Sequence, residues 1–521
     1  MTLQLQNLDE KKKELEACDT LEFTNVGNSF KEFICEIKVN RFRHITGLTL
    51  TFEHPVTIIS GTNKIGKTSI LLLLACSFER FLKLDSTSPS PDLREHSWKD
   101  VLQFTSHENV DNDYSYELKW RLAKQERSGE AKRLSSSKSW SGLGKKSSDQ
   151  SRINAKIRDR EVRLIDLERI LPSRSFSNAL YRKANAANRV RLNEEVEQAF
   201  SYVFDMEQIE LFEAGVHINK SCFLISRPEE SYSSFNAASG EEAVIYLLKD
   251  IIESPKNSLI LIDEIEAGFH PSVQRKLADI VQYISWRDKK QFVITTHSPT
   301  LISAFPSKSR RFIEKSSSGY RVIPYISHQA VRSKMDSVGY PLIQLYCEDA
   351  LASFLIQKIL NDIAKSHPHF HKLVNIIKSG PIDQVKNDYE RHKRNFPQYR
   401  NKTGYCAIFD GDHKDHSGYS NYFENNSENA LFIYPYEAPE KFLVRAYLIE
   451  NDNQELRAAL EHEAHHSLFQ KMTNLGLATS EPDAQSCCYS AFRNTPEYSK
   501  HESELSNFLR SVVKKFSELQ D

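Results

Sequence analysis

One eight-residue run constrains this chain more than any other feature: Gly61-Thr62-Asn63-Lys64-Ile65-Gly66-Lys67-Thr68. It fits G-x-x-x-x-G-K-[ST] at every fixed position. A short β-branched stretch, Val56–Ser60, precedes it, and an apolar stretch of helical character, Ser69–Phe78, follows. Strand, glycine turn and helix in that order predict one unit of a mostly parallel α/β sheet. Glycines let the turn curl until successive N–H groups face one point, and the helix N-terminus adds its dipole there. Phosphate oxygens fit such a concavity. Lys67 then places a positive charge against the β- and γ-phosphates, and Thr68 offers its hydroxyl to Mg2+. Gly61, Asn63, Gly66, Lys67, Thr68 and Ser69 are the expected nucleotide contacts, with ATP and Mg2+ as cofactors.

Three downstream elements extend this reading. Ser258–Ile262 is an apolar run of buried-strand type that ends in Asp263-Glu264. A parallel strand explains the apolar run, but not the doubled acid at its C-terminal end, where open α/β sheets bind ligands. Asp263 suits Mg2+, and Glu264 suits a general base that orients the attacking water. Ala238-Ser239-Gly240-Glu241-Glu242 opens a helix, with Ser239 available as its N-cap. Gln291–Thr296 is another buried strand, ending at His297.

In that order the elements resemble an ABC-type ATPase, and within that class the SMC-like and OLD (overcoming-lysogenization-defect) ATPases. The resemblance spans about residues 31–315. It implies a homodimer or higher homo-oligomer formed through the ATPase heads. Ser239 and Gly240 of one subunit would then close over ATP bound to the other, and His297 would sense the γ-phosphate. Glu266–Pro271 resembles the loop after the catalytic Glu, and Gln103 is the candidate glutamine-loop residue. The chain departs from transporters at Ala238 and Glu241-Glu242, where Leu and Gly-Gln are usual.

A second unit begins beyond Ile326. The alternation strand (Ile343–Cys347), helix (Ala350–Ile363), strand (Tyr405–Phe409), strand (Leu431–Tyr434) predicts a smaller α/β domain. Glu348 and Asp349 follow its first strand, and Asp410-Gly411-Asp412 follows the second. Residues i and i+2 at a strand end face one side, so Asp410 and Asp412 can share a cation such as Mg2+ or Mn2+. A glutamate after one strand and Asp-x-Asp after the next resembles a TOPRIM domain, which OLD-family nucleases carry C-terminal to the ATPase. The resemblance makes Glu348, Asp410 and Asp412 metal-binding and catalytic candidates, with Glu437, Glu440 and Lys441 completing the site. Cys347-Glu348-Asp349 departs from the usual Glu-Gly step.

Composition bounds the rest. With 521 residues and a net charge of −1, the chain predicts two to four domains and excludes a uniformly basic nucleic-acid coat. Charge is concentrated locally: residues 124–163 hold 12 Lys/Arg against 5 Asp/Glu. That stretch reads as a basic, flexible insertion, with a phosphate-contacting loop on nucleic acid as the alternative. The expected organisation is an appendage at 1–30, an ABC-type ATPase domain at 31–325, a TOPRIM-like domain at 340–450 and a helical segment at 451–521. No apolar run reaches the ~18 residues of a membrane helix, the N-terminus is polar, and the eight cysteines form no C-x-x-C pair. A cytoplasmic protein with reduced thiols and no membrane partner is expected. His462-Glu463-Ala464-His465-His466 satisfies H-E-x-x-H but reads as a charged surface helix, and His367, His369 and His371 read as surface histidines.

Two functional readings follow. In the first, nucleotide-driven dimerisation gates cleavage of nucleic acid by the TOPRIM domain, in bacterial anti-phage defence as in many relatives. In the second, the domain is a degenerate docking surface, and the ATPase controls a separate HNH-type nuclease or a retron reverse transcriptase, as in Septu or retron systems. A repair ATPase without nuclease is a third reading; the long coiled coil expected of it is not visible in the sequence.

Overall fold

The computed structural model describes residues 7–17, 30–78, 81–83, 94–101, 112–122, 125–136, 139–143, 160–170, 178–186, 188–217, 220–316, 319–326, 341–367, 370–398, 403–416 and 425–519, with a few isolated residues between. The chain is mixed α/β and divides into two units, Met1–Val331 and Arg332–Asp521.

The first unit is organised around an eight-stranded sheet. Its order is Gly319–Pro324, Arg310–Ser316, Val56–Gly61, Gln291–Thr295, Leu259–Ile262, Val162–Ile165, Phe81–Lys83, Arg94–His96. The inner six strands run parallel and an antiparallel hairpin closes each edge. Every residue of Val56–Gly61, Leu259–Ile262 and Gln291–Thr295 is buried. Strands covered on both faces read as unbroken apolar runs, which is why these were visible in the sequence. The helix Lys67–Cys76 is buried along nearly its whole length.

A five-stranded antiparallel sheet, Ile45–Thr51, Glu32–Phe42, Tyr114–Leu122, Gln125–Arg133, Trp140–Gly142, belongs to the same unit. Most of the described part of 124–163 therefore lies in sheet: Gln125–Arg133 pairs along its length with Tyr114–Leu122, and Val162–Ile165 is an interior strand of the main sheet. Trp140 stacks on Trp98 with ring centroids 3.8 Å apart.

The second unit holds a four-stranded, all-parallel sheet in the order Val374–Lys378, Ile343–Cys347, Gly404–Phe409, Ala430–Phe432. The first strand in sequence is therefore interior. Its successor lies on one side and the third strand on the other, so the order reverses between Ile343–Cys347 and Gly404–Phe409. Ligands bind at such switch points, beyond the C-terminal strand ends. Five helices follow, Pro439–Glu450, Gln454–His462, Leu468–Asn474, Glu481–Phe492 and Pro496–Glu518. No helix among the described residues is long and apolar enough to cross a membrane.

His54 ties the entry of the phosphate-loop strand. Val56 N–H donates to its Nδ1 at 3.0 Å, and burial pushes the ring pKa down to about 4. A group held neutral in the fold supports stability above its ordinary value near 6.5 and withdraws it as pH falls toward 4. The shift corresponds to at most about 3 kcal/mol. In guanidinium unfolding of the first unit, the stability gap between the unmodified chain and His54→Gln should shrink by about 2–3 kcal/mol from pH 7 to pH 4. A gap independent of pH would contradict this role for His54.

Candidate functional site

The phosphate loop leaves the sheet at Gly61. A Cβ there would meet the Ile313 carbonyl oxygen at 2.5 Å, so only glycine fits. Gly66 caps the following helix at φ 101°, a conformation open to glycine and costly for other residues. Lys67 heads the helix and turns back, its Nζ donating to the carbonyls of Gly61 at 3.1 Å and Thr62 at 3.3 Å. Burial lowers its pKa, while Glu264, Asp263 and Glu266 pull the other way. Thr68 lies one residue on, Asn63 is exposed on the loop, and Ser69 is buried.

Strand order then explains what meets Thr68. Gln291–Thr295 lies between the phosphate-loop strand and Leu259–Ile262. Its last residue, Thr295, is therefore adjacent to both C-terminal ends. Thr68 Oγ1 donates to Asp263 Oδ2 at 2.9 Å, and Thr295 Oγ1 donates to Asp263 Oδ1. The same Thr295 oxygen accepts from the Glu264 N–H at 2.9 Å. A carboxylate beside a threonine hydroxyl is a hard-oxygen pair suited to Mg2+. A cavity of about 320 Å3 opens beside it, lined by Thr68, Asp263, Asp166, Lys83 and Asp100.

Glu264 sits at φ 45°, left-handed for a non-glycine residue. Arg169, buried in a short turn after Val162–Ile165, holds this bend: its guanidinium donates to the carbonyls of Asp263 at 3.1 Å and Glu264 at 2.7 Å. Strained backbone of this kind persists only where its surroundings over-determine it. Glu266 accepts the His297 N–H through one oxygen, and its other oxygen is buried without a partner. The His297 ring is half-buried, its pKa lowered by burial and by the charge of Lys67.

Thr295 and Arg169 escaped the sequence reading, and Glu266 entered it only as the first residue of a loop. Their signal lies in strand order, which no local motif encodes. Ser239 is the first residue of the helix Ser239–Glu253, so the N-cap place falls to Ala238, whose N–H donates to Glu241 at 2.9 Å. Gly240 packs toward the Gly268 carbonyl, 3.3 Å from where a Cβ would stand, which joins the helix Ser239–Glu253 to the Glu266–Pro271 loop. Gln103 lies outside the described residues.

In the second unit the strand ends converge. Glu348 follows Ile343–Cys347, and its Oε1 accepts the Asp410 N–H at 3.0 Å. Burial pushes the Asp410 pKa up to about 9, reinforced by Glu348, Asp349, Asp412 and Glu440, and Asp410 Oδ1 is buried without a partner. Burial also raises Glu348. His413 Nε2 stands 3.7 Å from both Glu348 and Asp412. Asp349 instead caps the next helix through the Ala352 N–H at 2.9 Å. Crowded acids with an orphaned buried oxygen fit a divalent cation. Glu437 pairs with Arg445.

Comparison with known proteins places residues 56–303 in a match to the family described as "AAA domain, putative AbiEii toxin, Type IV TA system". That stretch is similar to an AAA-type ATPase domain. Over 151 residues the chain is 22% identical to the "Retron Vc95 probable ATPase" of Vibrio cholerae serotype O1 biovar El Tor, covering 27% of this chain. The match spans 28% of that relative's length. Solved structures with similarity include the SMC head domain from Thermotoga maritima, at 15% identity and a TM-score of 0.34, covering 56% of this chain and 98% of that one. Another is an Smc head domain bound to the C-terminal domain of ScpA from Pyrococcus furiosus, at 12% identity and a TM-score of 0.34, covering 56% and 96%.

Thr295 gives the first test of this geometry. Thr295→Val keeps the shape but removes the hydroxyl that orients Asp263 and accepts from Glu264. It should lower kcat for ATP hydrolysis by about tenfold or more with little change in ATP affinity. An unchanged kcat would remove Thr295 from the site.

Proposed function

We propose that this chain is an ATP-driven switch of the ABC type whose two copies close on bound nucleotide. The observation that carries it is the Asp263 carboxylate held between the hydroxyls of Thr68 and Thr295, beside Lys67 and the bent Glu264. The backbone of residues 61–66 and the charge of Lys67 would hold the β- and γ-phosphates. Thr68 and Asp263 would hold Mg2+, which when bound neutralises charge on the phosphate oxygens. Glu264 would orient the attacking water and take its proton, and His297 would face the γ-phosphate. Ser239 and Gly240 would be supplied by a second copy. Lys67→Ala should cut ATP turnover at least about a hundredfold.

The acid pocket of the second unit supports a further step. Glu348, Asp410 and Asp412 would hold Mg2+ or Mn2+, which when bound polarises a phosphodiester and stabilises the leaving oxygen. The chain would then be a nucleotide-gated nuclease of the OLD and TOPRIM kind, with nucleic acid as partner and anti-phage defence as its setting. The similarity to a protein named as a retron ATPase favours a second reading, a regulatory ATPase that controls a separate nuclease or a retron reverse transcriptase.

One incubation separates the two. Purified chain is mixed with plasmid or single-stranded DNA, ATP, and Mg2+ or Mn2+. The nuclease reading predicts cutting that Asp410→Ala abolishes while leaving ATP turnover intact. ATP turnover with no cutting under any of these conditions contradicts it and supports the regulatory reading.

A further inference from the structure

We propose that Glu440, His465 and His466 form a binding site for a transition-metal ion of the zinc class, separate in donor chemistry from the all-oxygen acid pocket. The three residues each offer a ligand atom, and these atoms lie within 4.8 Å of one another. Such spacing needs only a small inward movement to reach one ion at bond lengths of about 2.0–2.2 Å.

The chain builds this group through two local devices. Pro439 opens the helix Pro439–Glu450, so Glu440 lies in its first turn, where it is 7% exposed. The H-E-x-x-H run does not continue as one helix. Gln454–His462 ends at its C-cap Glu463, Ala464 is extended, and His465–Ser467 forms a tight 3-10 turn. His462 is thereby left exposed on its own helix, whereas His465 and His466 come together with ring centroids 3.7 Å apart. His466 Nδ1 lies 3.3 Å from Glu440 Oε1.

Two features of this arrangement ask for a cation. Glu440 is a buried carboxylate whose only ion-pair partner among the described residues is the His466 ring. Both histidines keep solvent access, with the His466 side chain 76% exposed, so an ion can enter without rearranging the core. One carboxylate oxygen and two imidazole nitrogens, with a further position open to water, is the donor set of three-ligand zinc sites. Imidazole donors favour Zn2+, Co2+ or Ni2+ over Mg2+ or Mn2+, which prefer the oxygens of Glu348, Asp410 and Asp412.

The test uses the full chain, stripped with chelator and titrated with ZnCl2, and with CoCl2 followed by visible absorption. The chain has 18 histidines in all, so the comparison with variants decides the result. About one tight equivalent of Zn2+ should bind, and His465→Ala and His466→Ala should each weaken it at least about tenfold. His466→Gln, which preserves size and polarity, should weaken it equally. Asp410→Ala should leave this binding in place. Zn2+ uptake that is absent, that is the same in the histidine variants, or that is lost in Asp410→Ala but kept in them, would overturn the proposal.

Discussion

The first unit turns on one carboxylate. Asp263 sits at a strand end, yet both its oxygens are taken by hydroxyls from other elements, Thr68 from the phosphate-loop helix and Thr295 from the intervening strand. These bonds hold three C-terminal strand ends in register with the helix that would face the phosphates. The parallel sheet makes this possible, because its strands end together on one edge. A buried carboxylate would otherwise lose its hydration without replacement, so the two threonines hold the site together before any ion arrives. Arg169 and Thr295 then hold the bend at Glu264, which places the candidate base one residue beyond Asp263, the candidate Mg2+ ligand.

The second unit resolves a similar problem differently. Glu348 accepts a backbone N–H, but Asp410 has one buried oxygen with no donor, and its neighbours are themselves acids. Like charges brought this close cannot all stay ionised without a proton or a cation among them. The cost is borne at the switch point of a parallel sheet, where the strand order leaves a crevice.

Legibility in the sequence followed the range of each interaction. Gly61–Thr68 and Asp263-Glu264 were legible because each is contiguous and its chemistry follows from adjacent residues. Thr295 and Arg169 were not, since their roles arise from strands brought side by side across 31 to 95 residues of chain. Gln125–Arg133 was read as part of a loose insertion because charged and small residues dominate it. Its partner Tyr114–Leu122 supplies the aromatic face that makes it a strand. The H-E-x-x-H run misled in the opposite direction: its spacing assumes one helix, and the extended Ala464 breaks it. What remained illegible was a matter of tertiary placement.

The proposed closure of the nucleotide site by a second copy's helix Ser239–Glu253 is tested most directly by sedimentation velocity of the Glu264→Gln chain. With Mg-ATP bound and hydrolysis blocked, the chain should sediment with the mass of two copies. It should return to one copy without nucleotide, and Ser239→Arg should prevent pairing. A chain saturated with ATP that stays single at every protein concentration would contradict it.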